Sequence, residues 1–237
     1  MDSTEDYLAK RKRNPKQVEF FDERADCWDE VCVHDPVKID HIVSLLDLGD
    51  GCDILDVGTG TGVMISYYLK AMSGGHVTAV DYSEQMIRVA RSKYPESERL
   101  EYRVQDIYAM KDESCYDRVV CFSCFPHFPD PVGAIAVLSR ALRPGGLLCI
   151  AHSASRDHIN GVHRESGELV SNDYLPPVGI MGELLTQSGL DVEMLRDDNE
   201  YYIALARKRA YRAGLYFCRT DNDIFYRFFS VTCFLEQ

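Results

Sequence analysis

The sequence predicts an α/β fold: a doubly wound sheet of seven strands, mostly parallel, whose last strand is reversed. Three observations lead to this fold class. From Asp53 onward, apolar runs of about five residues alternate with longer helical patterns, which is typical of a parallel sheet covered by helices. A glycine-rich turn, Gly58 to Gly62, follows the first run. The last two runs are joined only by the polar residues 196–200, too few for a crossover helix, so they must pair as an antiparallel hairpin.

Each strand is expected from a short apolar run, and each helix from apolar residues at helical spacing. Capping signals support two helices, because Ser83 precedes one and Pro131 lies in the first turn of another. Residues 143–146 contain a proline and two glycines and predict a turn. The predicted strands are residues 53–57, 76–80, 100–104, 117–122, 147–151, 190–195 and 201–206. The predicted helices are residues 62–72, 83–93, 131–141 and 182–188.

The composition is that of one globular domain with additions. Its 237 residues are 46% apolar and 27% charged, and the net charge of −12 disfavours a nucleic-acid partner. No apolar run reaches the roughly 18–20 residues that span a bilayer, and the polar N-terminus does not resemble a secretory signal. Nine cysteines, an odd number, favour reduced thiols and a cytoplasmic location. The basic run Lys10 to Arg13 is expected to be a solvated helix end, with a nucleic-acid arm or a targeting signal as alternatives.

The glycine-rich turn is the first candidate for a ligand site. Glycines at 58, 60 and 62 let the chain bend sharply and let a ligand approach the backbone without meeting a Cβ. The helix that follows offers unpaired N–H groups to a nucleotide phosphate or to the carboxylate of an amino acid. A tight turn without a ligand is the alternative. The absence of lysine and arginine between Asp53 and Lys70 disfavours a triphosphate-binding loop.

Two acidic residues strengthen the case for a ligand. Asp81 follows the second predicted strand, where a carboxylate can accept both hydroxyls of a ribose. Asp106 follows the third strand, where it can accept from an adenine amino group. Because the carboxyl ends of parallel strands meet at one edge of the sheet, both side chains are expected at the same rim as the glycine turn.

These segments together resemble the class I methyltransferases that use S-adenosylmethionine (SAM). The resemblance covers roughly residues 18–208 and implies a Rossmann-like fold, a final hairpin with a reversed strand, and SAM as cofactor. The segment Phe20 to Glu30 is similar to the helix that covers SAM in members acting on small molecules. The matching motifs are DILDVGTGTGVM at Asp53, HVTAVDYSEQMI at His76, VQDI at Val104, DRVVCFSCFPHFP at Asp117 and LRPGGLLCI at Leu142.

The resemblance also implies a role for individual residues. The three glycines approach the methionine portion of SAM, and Asp56 orients its ammonium group. Asp81 binds the ribose, and the end of the fourth strand faces the sulfonium. The implied cofactor-binding residues are Asp56, Gly58, Gly60, Gly62, Asp81, Tyr82, Met86, Asp106, Ile107, Phe122 and Ser123.

The methyl acceptor leaves weaker traces. His127 and His152 are candidate catalytic groups, with a structural histidine as the alternative at position 127. In the family, an insertion after the fifth strand, about residues 152–178 here, shapes the acceptor pocket. If it is helical, a polar face with Arg156, Asn160 and His163 could bind the acceptor, or it could simply be solvated. Metal ligation by His152, His158 and His163 is another alternative, and the pair Cys121 and Cys124 is expected to be buried thiols.

The sequence therefore predicts three parts. Residues 1–50 form an N-terminal helical cap, residues 51–208 form the SAM-binding domain, and residues 209–237 form an aromatic-rich extension. The expected function is methyl transfer from SAM to a small molecule, without nucleic-acid or membrane partners and with a homodimer left open. A metal-associated or tetrapyrrole-type acceptor and a non-catalytic SAM-binding protein remain alternatives. An NAD-dependent oxidoreductase is disfavoured by the glycine spacing, by Asp106 and by the final hairpin.

Overall fold

A computed structural model describes residues 3–11, 14–210, 215–220 and 223–228 of the chain. Its main sheet has seven strands in the order β3-β2-β1-β4-β5-β7-β6, and β7 runs antiparallel to both of its neighbours. The remaining neighbours within this sheet are parallel. The predicted fold class is thus confirmed. The strands are β1 Asp53–Val57, β2 His76–Asp81, β3 Leu100–Val104, β4 Tyr116–Phe122, β5 Leu142–His152, β6 Leu190–Asp197 and β7 Tyr202–Lys208.

Helices cover both faces of the sheet because the strands are apolar on both sides. Leu55 of β1 belongs to a core cluster with Leu138 and Leu184 of two helices, whereas its neighbour Ile54 packs with Ile42 and Ile65 of two others. Successive strand residues point to opposite faces, so one short apolar run supplies both cores. The helices are α1 Thr4–Ala9, α2 Gln17–Asp22, α3 Trp28–Val31, α4 Pro36–Ser44, α5 Ile65–Ala71, α6 Glu84–Lys93, α7 Pro131–Ala141, α8 Arg156–Glu165 and α9 Val178–Gln187.

Three predicted boundaries differ from the structure by three residues or more, and the other differences are one or two residues. Helix α5 begins at Ile65 instead of Gly62, because Gly62 has φ +87° and cannot enter a right-handed helix. Residues 143–146 belong to the long strand β5, which pairs with β4 on both sides of an irregularity in the register. Helix α9 begins at Val178, directly after Pro177, and tolerates the glycines inside it. Each of these errors concerns a glycine, whose backbone conformation is set by tertiary context.

The ends of the chain were predicted as a helical cap and an aromatic-rich extension. Helices α1 to α4 precede β1. After β7, the strands Leu215–Thr220 (β8) and Asp223–Phe228 (β9) form a separate antiparallel pair. Within the predicted extension, residues 211–214, 221–222 and 229–237 lie outside the described residues, as do Lys12 and Arg13 of the basic run. No helix in the described part of the chain is both long and apolar enough to cross a membrane.

Candidate active site

A cavity of about 420 Å³ lies between the carboxyl ends of β1, β2 and β4 and the N-terminal segment that contains α2 and α3. Among the described residues, no lysine or arginine lines it. Ten of the predicted site residues do: Gly58, Gly60, Asp81, Tyr82, Met86, Asp106, Ile107, Phe122, Ser123 and His127. Six others lie outside its wall: Asp56, Gly62, His152, Arg156, Asn160 and His163.

The turn after β1 forms a cradle of bare backbone in this wall. Gly58 and Gly60 have φ angles of +63° and +56°, in the left-handed region that favours glycine. A Cβ on Gly58 would lie 2.5 Å from the Cβ of Cys124, so no side chain fits there. A Cβ on Gly60 would meet nothing within 4 Å, which leaves open space beside the turn. A ligand can therefore approach the backbone closely at these two residues.

Asp81 and Asp106 lie at the same rim of the sheet. Asp81 ends β2, and its carboxylate accepts hydrogen bonds from the backbone N–H groups of Gly60 and Ser83, both at 2.9 Å. Burial raises the pKa of Asp81 to about 6, although the two backbone bonds favour the charged form. Asp106 precedes a 3₁₀ turn, where it accepts from the N–H of Tyr108 at 3.0 Å. Both carboxylates border the cavity and can accept from hydroxyl or amino groups of a ligand.

Asp56 lies under the glycine turn instead of in the cavity wall. It is 1% exposed and accepts from the hydroxyls of Thr59, at 2.6 Å, and Tyr68, at 3.1 Å. Burial raises its pKa to about 6. Its hydrogen bond to Thr59 stabilises the glycine turn, so Asp56 supports the turn without lining the cavity.

Carboxylates of the N-terminal segment fasten it over the cavity. Asp22 accepts from the hydroxyl of Ser83 at 2.6 Å. Asp29 accepts from the hydroxyl of Thr61 in the glycine turn and from Lys93 of α6, at 2.5 and 2.6 Å. The segment is thus tied both to the turn and to the helix that follows Asp81.

Aromatic rings of the same segment line the end of the cavity that includes Tyr82 and His127. The ring of Phe21 lies 5.6 Å from that of Trp28, 6.0 Å from that of Tyr82 and 4.9 Å from that of His127. All four residues line the cavity. This end therefore suits an apolar or aromatic molecule.

His34 and Ser123 border the cavity where β4 ends. The ring of His34 lies 4.8 Å from that of Phe122, and its Nδ1 atom hydrogen-bonds the hydroxyl of Ser153 at 2.9 Å. Burial lowers the pKa of His34, which favours the neutral ring. Ser123 has φ +54°, an uncommon conformation for a residue other than glycine.

His127 pairs with a carboxylate from the insertion after β5. Its Nδ1 atom lies 2.7 Å from the Oδ2 atom of Asp173, and both side chains are largely buried. The His163 ring lies 4.8 Å from that of His127 and donates through Nδ1 to the backbone carbonyl of Asp173 at 2.6 Å. Burial lowers the pKa of His163 to about 4, so this ring is neutral.

The other candidate residues lie farther from the cavity. His152 is 1% exposed, and neither ring nitrogen has a partner among the described residues; burial holds its pKa well below the usual value. Arg156 pairs with Asp197 at 2.8 Å, and the Asn160 side chain bonds the backbone of Leu175. Arg156 and Asn160 border a second depression of about 390 Å³. No group of three or more metal-ligating side chains occurs within the described ranges.

The predicted solvation of the basic run was wrong at Arg11. Its guanidinium group is 3% exposed and donates to the backbone carbonyls of Pro126 and Phe128, next to His127. Arg11, two residues after the end of α1, thus packs against the loop after β4 instead of facing water.

The methyltransferase-domain family model matches residues 55–150, from the first strand through the fifth. Residues 55–150 thus form a methyltransferase domain, as the resemblance to the SAM-dependent class predicted. The match confirms the predicted family and, with it, the predicted class of cofactor.

Individual relatives of the methyltransferase domain agree with this assignment. A ubiquinone biosynthesis O-methyltransferase of Xanthomonas oryzae pv. oryzae is 36% identical over 119 residues, which are 49% of this chain and 48% of that protein. A protein of the same name from Xylella fastidiosa is 31% identical over 160 residues, 64% of each chain. This chain thus spans about half the length of the first relative. A SAM-dependent methyltransferase from Aquifex aeolicus shares the fold, with a TM-score of 0.60 and 19% identity over 83% of this chain and 99% of that one.

Sequence reasoning missed several residues of the cavity and its surroundings. Gln17, Trp28 and His34 line the cavity, and Asp173 supports His127 from behind. For Trp28, the similarity of Phe20 to Glu30 to a SAM-covering helix was a usable signal. For the other three, no spacing in the sequence indicates that they meet.

Proposed function

We propose that this chain transfers the methyl group of SAM to the hydroxyl oxygen of a small aromatic molecule. One observation carries the proposal: the cavity joins a glycine cradle and two carboxylates to an aromatic end, with no cationic side chain among the described residues of its wall. Carboxylates and aromatic rings suit a positively charged sulfonium compound, whereas a phosphate-bearing cofactor prefers cations. The two ubiquinone biosynthesis O-methyltransferases that this chain resembles support an oxygen acceptor.

The residues present fit SAM. The bare backbone at Gly58 and Gly60 admits its methionine portion, and Asp81 and Asp106 can accept from the ribose and the adenine. When bound, SAM supplies an electrophilic methyl group on a positive sulfur. Phe122 and Ser123, where β4 ends, are the residues that we expect beside that group.

The protein's own part is to hold the acceptor in line, exclude water and accept a proton. Phe21 and Trp28 close the aromatic end. His127 lines the cavity and is the base that we assign to the acceptor hydroxyl. His152, by contrast, is enclosed away from the cavity wall, so a catalytic role for it would need a path through neighbouring residues.

The expected acceptor carries no carboxylate or phosphate group. Arg156 is engaged with Asp197 beside a separate depression, so an anionic acceptor would find no free cation among the described residues of the main cavity. A metal-associated acceptor has no supporting ligand set within the described ranges. A reducing compartment such as the cytoplasm agrees with the seven cysteines from Cys27 to Cys149, all of which are free thiols.

Calorimetry tests the cofactor assignment. SAM and S-adenosylhomocysteine should bind at micromolar concentrations or below, and NAD should not bind. Asp81→Ala and Gly60→Val should abolish SAM binding. Gly145→Val is the matched control, because Gly145 also has a positive φ, +81°, and no neighbour within 4 Å of its Cβ, but lies outside the cavity wall. Normal SAM binding by Asp81→Ala or by Gly60→Val would contradict the assignment of this cavity as the SAM site.

Turnover tests the reaction. SAM with an isotopically labelled methyl group is incubated with catechol, 4-nitrocatechol and matched anilines and thiophenols, and methylated products are identified by mass. We expect products from the hydroxyl compounds, and a loss of about 100-fold in kcat for His127→Asn. Binding of SAM without transfer to any acceptor would favour a non-catalytic binding protein. Light scattering on the same sample gives the oligomeric state, for which a homodimer is one expectation.

A further inference from the structure

Asp173 is the meeting point of three parts of the chain. Its Oδ2 atom accepts from Nδ1 of His127 and from Nε2 of Gln17, both at 2.7 Å. Its Oδ1 atom lies 4.0 Å from the buried guanidinium of Arg11, and its backbone carbonyl accepts from His163. A carboxylate that is 7% exposed and has this many fixed donors has one orientation available to it.

The contacts of His127 leave one ring nitrogen for the cavity. Nδ1 is occupied by Asp173, and no group among the described residues hydrogen-bonds Nε2. The ring is flanked by Phe21 at 4.9 Å and by His163 at 4.8 Å, and it lines the cavity. A carboxylate at Nδ1 keeps the proton on that atom and so leaves the Nε2 lone pair free.

Gln17 connects this pair to Tyr82 in the wall of the cavity. Its amide Nε2 donates to Asp173, and its Oε1 atom accepts from the hydroxyl of Tyr82 at 3.3 Å. Tyr82 directly follows Asp81, the residue assigned to the ribose. Because Gln17 begins α2, the N-terminal segment that covers the cavity also completes the hydrogen bonds around Asp173.

We propose that Asp173 and Gln17 are positioning residues for the methyl transfer: Asp173 fixes the tautomer and orientation of His127, and Gln17 fixes Asp173 and links it to Tyr82. The inference rests on the proposed function. The acceptor's hydroxyl proton moves to Nε2 of His127, the O–H electron pair stays on the acceptor oxygen, and the imidazolium, held by Asp173, returns the proton to water. Neither positioning residue needs to touch the acceptor.

The first test reads the tautomer directly and needs no turnover. The ring nitrogens of His127 are observed by ¹⁵N NMR in the full-length protein at pH 8.5 and assigned by their loss in His127→Asn. The native protein should carry the proton on Nδ1. Asp173→Ala should move most of it to Nε2, whereas Glu168→Ala, an exposed acid in the same segment, should leave it unchanged. An unchanged tautomer in Asp173→Ala would overturn the proposal.

The second test separates positioning from a structural role. Asp173→Ala should lower kcat for catechol by about 100-fold, Asp173→Asn and Gln17→Ala by about 10-fold, with KM for SAM changed less than about 3-fold. In a His127→Asn background, Asp173→Ala should have no further effect on kcat, because it acts through that ring. 4-Nitrocatechol, whose hydroxyl is already ionised at pH 8.5, should be nearly insensitive. Additive losses, or equal losses for both acceptors, would show that Asp173 only supports the fold.

These outcomes can be told apart from a failure of the proposed function. If no acceptor is methylated but the tautomer of His127 depends on Asp173, the role of Asp173 in fixing the ring is supported and the proposed methyl transfer is wrong. If methylation proceeds but the tautomer of His127 is unchanged in Asp173→Ala, the proposed methyl transfer is supported and the positioning role of Asp173 is wrong. Circular dichroism and SAM calorimetry on each variant confirm that it is folded.

Discussion

The buried carboxylate of Asp56 gives a stability prediction with a defined pH dependence. Burial raises its pKa from 3.8 to about 6. A shift of this size makes the charged carboxylate about 3 kcal/mol less favourable in the folded protein than in water. Asparagine has the same shape without the charge. The hydroxyls of Thr59 and Tyr68 can each donate or accept, so both hydrogen bonds can survive the change. Asp56→Asn should therefore stabilise the ligand-free protein by up to about 3 kcal/mol at pH 8.

The sign follows from proton binding. Because the folded-state pKa of Asp56 exceeds its unfolded value, the folded protein binds more protons than the unfolded chain between about pH 4 and pH 6. The native protein thus loses stability as the pH rises through this window, and the variant does not. Its advantage should grow from about 1 kcal/mol at pH 4.5 to about 3 kcal/mol at pH 8.

Thermal unfolding without SAM measures this difference at pH 4.5, 6 and 8. In a chain of this size, 3 kcal/mol corresponds to a rise in Tm of about 6–12 °C. Asp40→Asn, at an exposed position, is the control and should leave Tm nearly unchanged at each pH. A variant less stable than the native protein at pH 8, or one with the same advantage at pH 4.5 and pH 8, would refute the reasoning. Because it removes a negative charge under the glycine turn, the same variant should bind cationic SAM more weakly.

Three further predictions concern the cavity. SAM affinity should fall as the pH drops below about 6, because the pKa of Asp81 is about 6 and a protonated carboxyl accepts fewer hydrogen bonds; calorimetry from pH 5 to 8 measures this, and a constant affinity would contradict it. Gly58→Ala should lower the free energy of unfolding in urea by about 1–3 kcal/mol, because the new Cβ has no room beside Cys124. Gly145→Ala has a similar φ but open space around the new Cβ, and it should lower this free energy by about 1 kcal/mol. Equal losses would show that Cys124 does not limit the space at Gly58. Asp29→Ala should speed dissociation of S-adenosylhomocysteine about 10-fold in stopped flow, with exposed Glu30→Ala as control.

The parts of the fold that could be predicted depend on local sequence. The apolar runs give the parallel strands, and the length of 196–200 forces the hairpin that contains β7. Ser83 caps α6, accepting from the N–H of Met86 at 3.1 Å. In each case the interacting residues are neighbours in the chain, so spacing alone determines the contact.

The parts that could not be predicted depend on contacts between distant segments. Gln17 and Asp173 are 156 positions apart, and Asp173 lies in an irregular stretch between α8 and α9 where no period applies. Arg11 is charged and lies in a basic run, yet its side chain is buried against the loop after β4, where backbone carbonyls accept its hydrogen bonds. Tertiary hydrogen bonds of this kind override local composition, and a sequence pattern does not contain them.

The polar face expected on α8 is present, but its residues contact a different part of the protein from the one expected. Asn160 and His163 do point toward the protein, but they bond the backbone of Leu175 and Asp173 instead of bordering the main cavity. Their hydrogen bonds therefore fix the irregular stretch that presents the Asp173 carboxylate to His127. On this view the insertion after β5 shapes the acceptor site indirectly. Helix α8 fixes the irregular stretch, and that stretch places the carboxylate that orients the ring of His127 in the cavity wall.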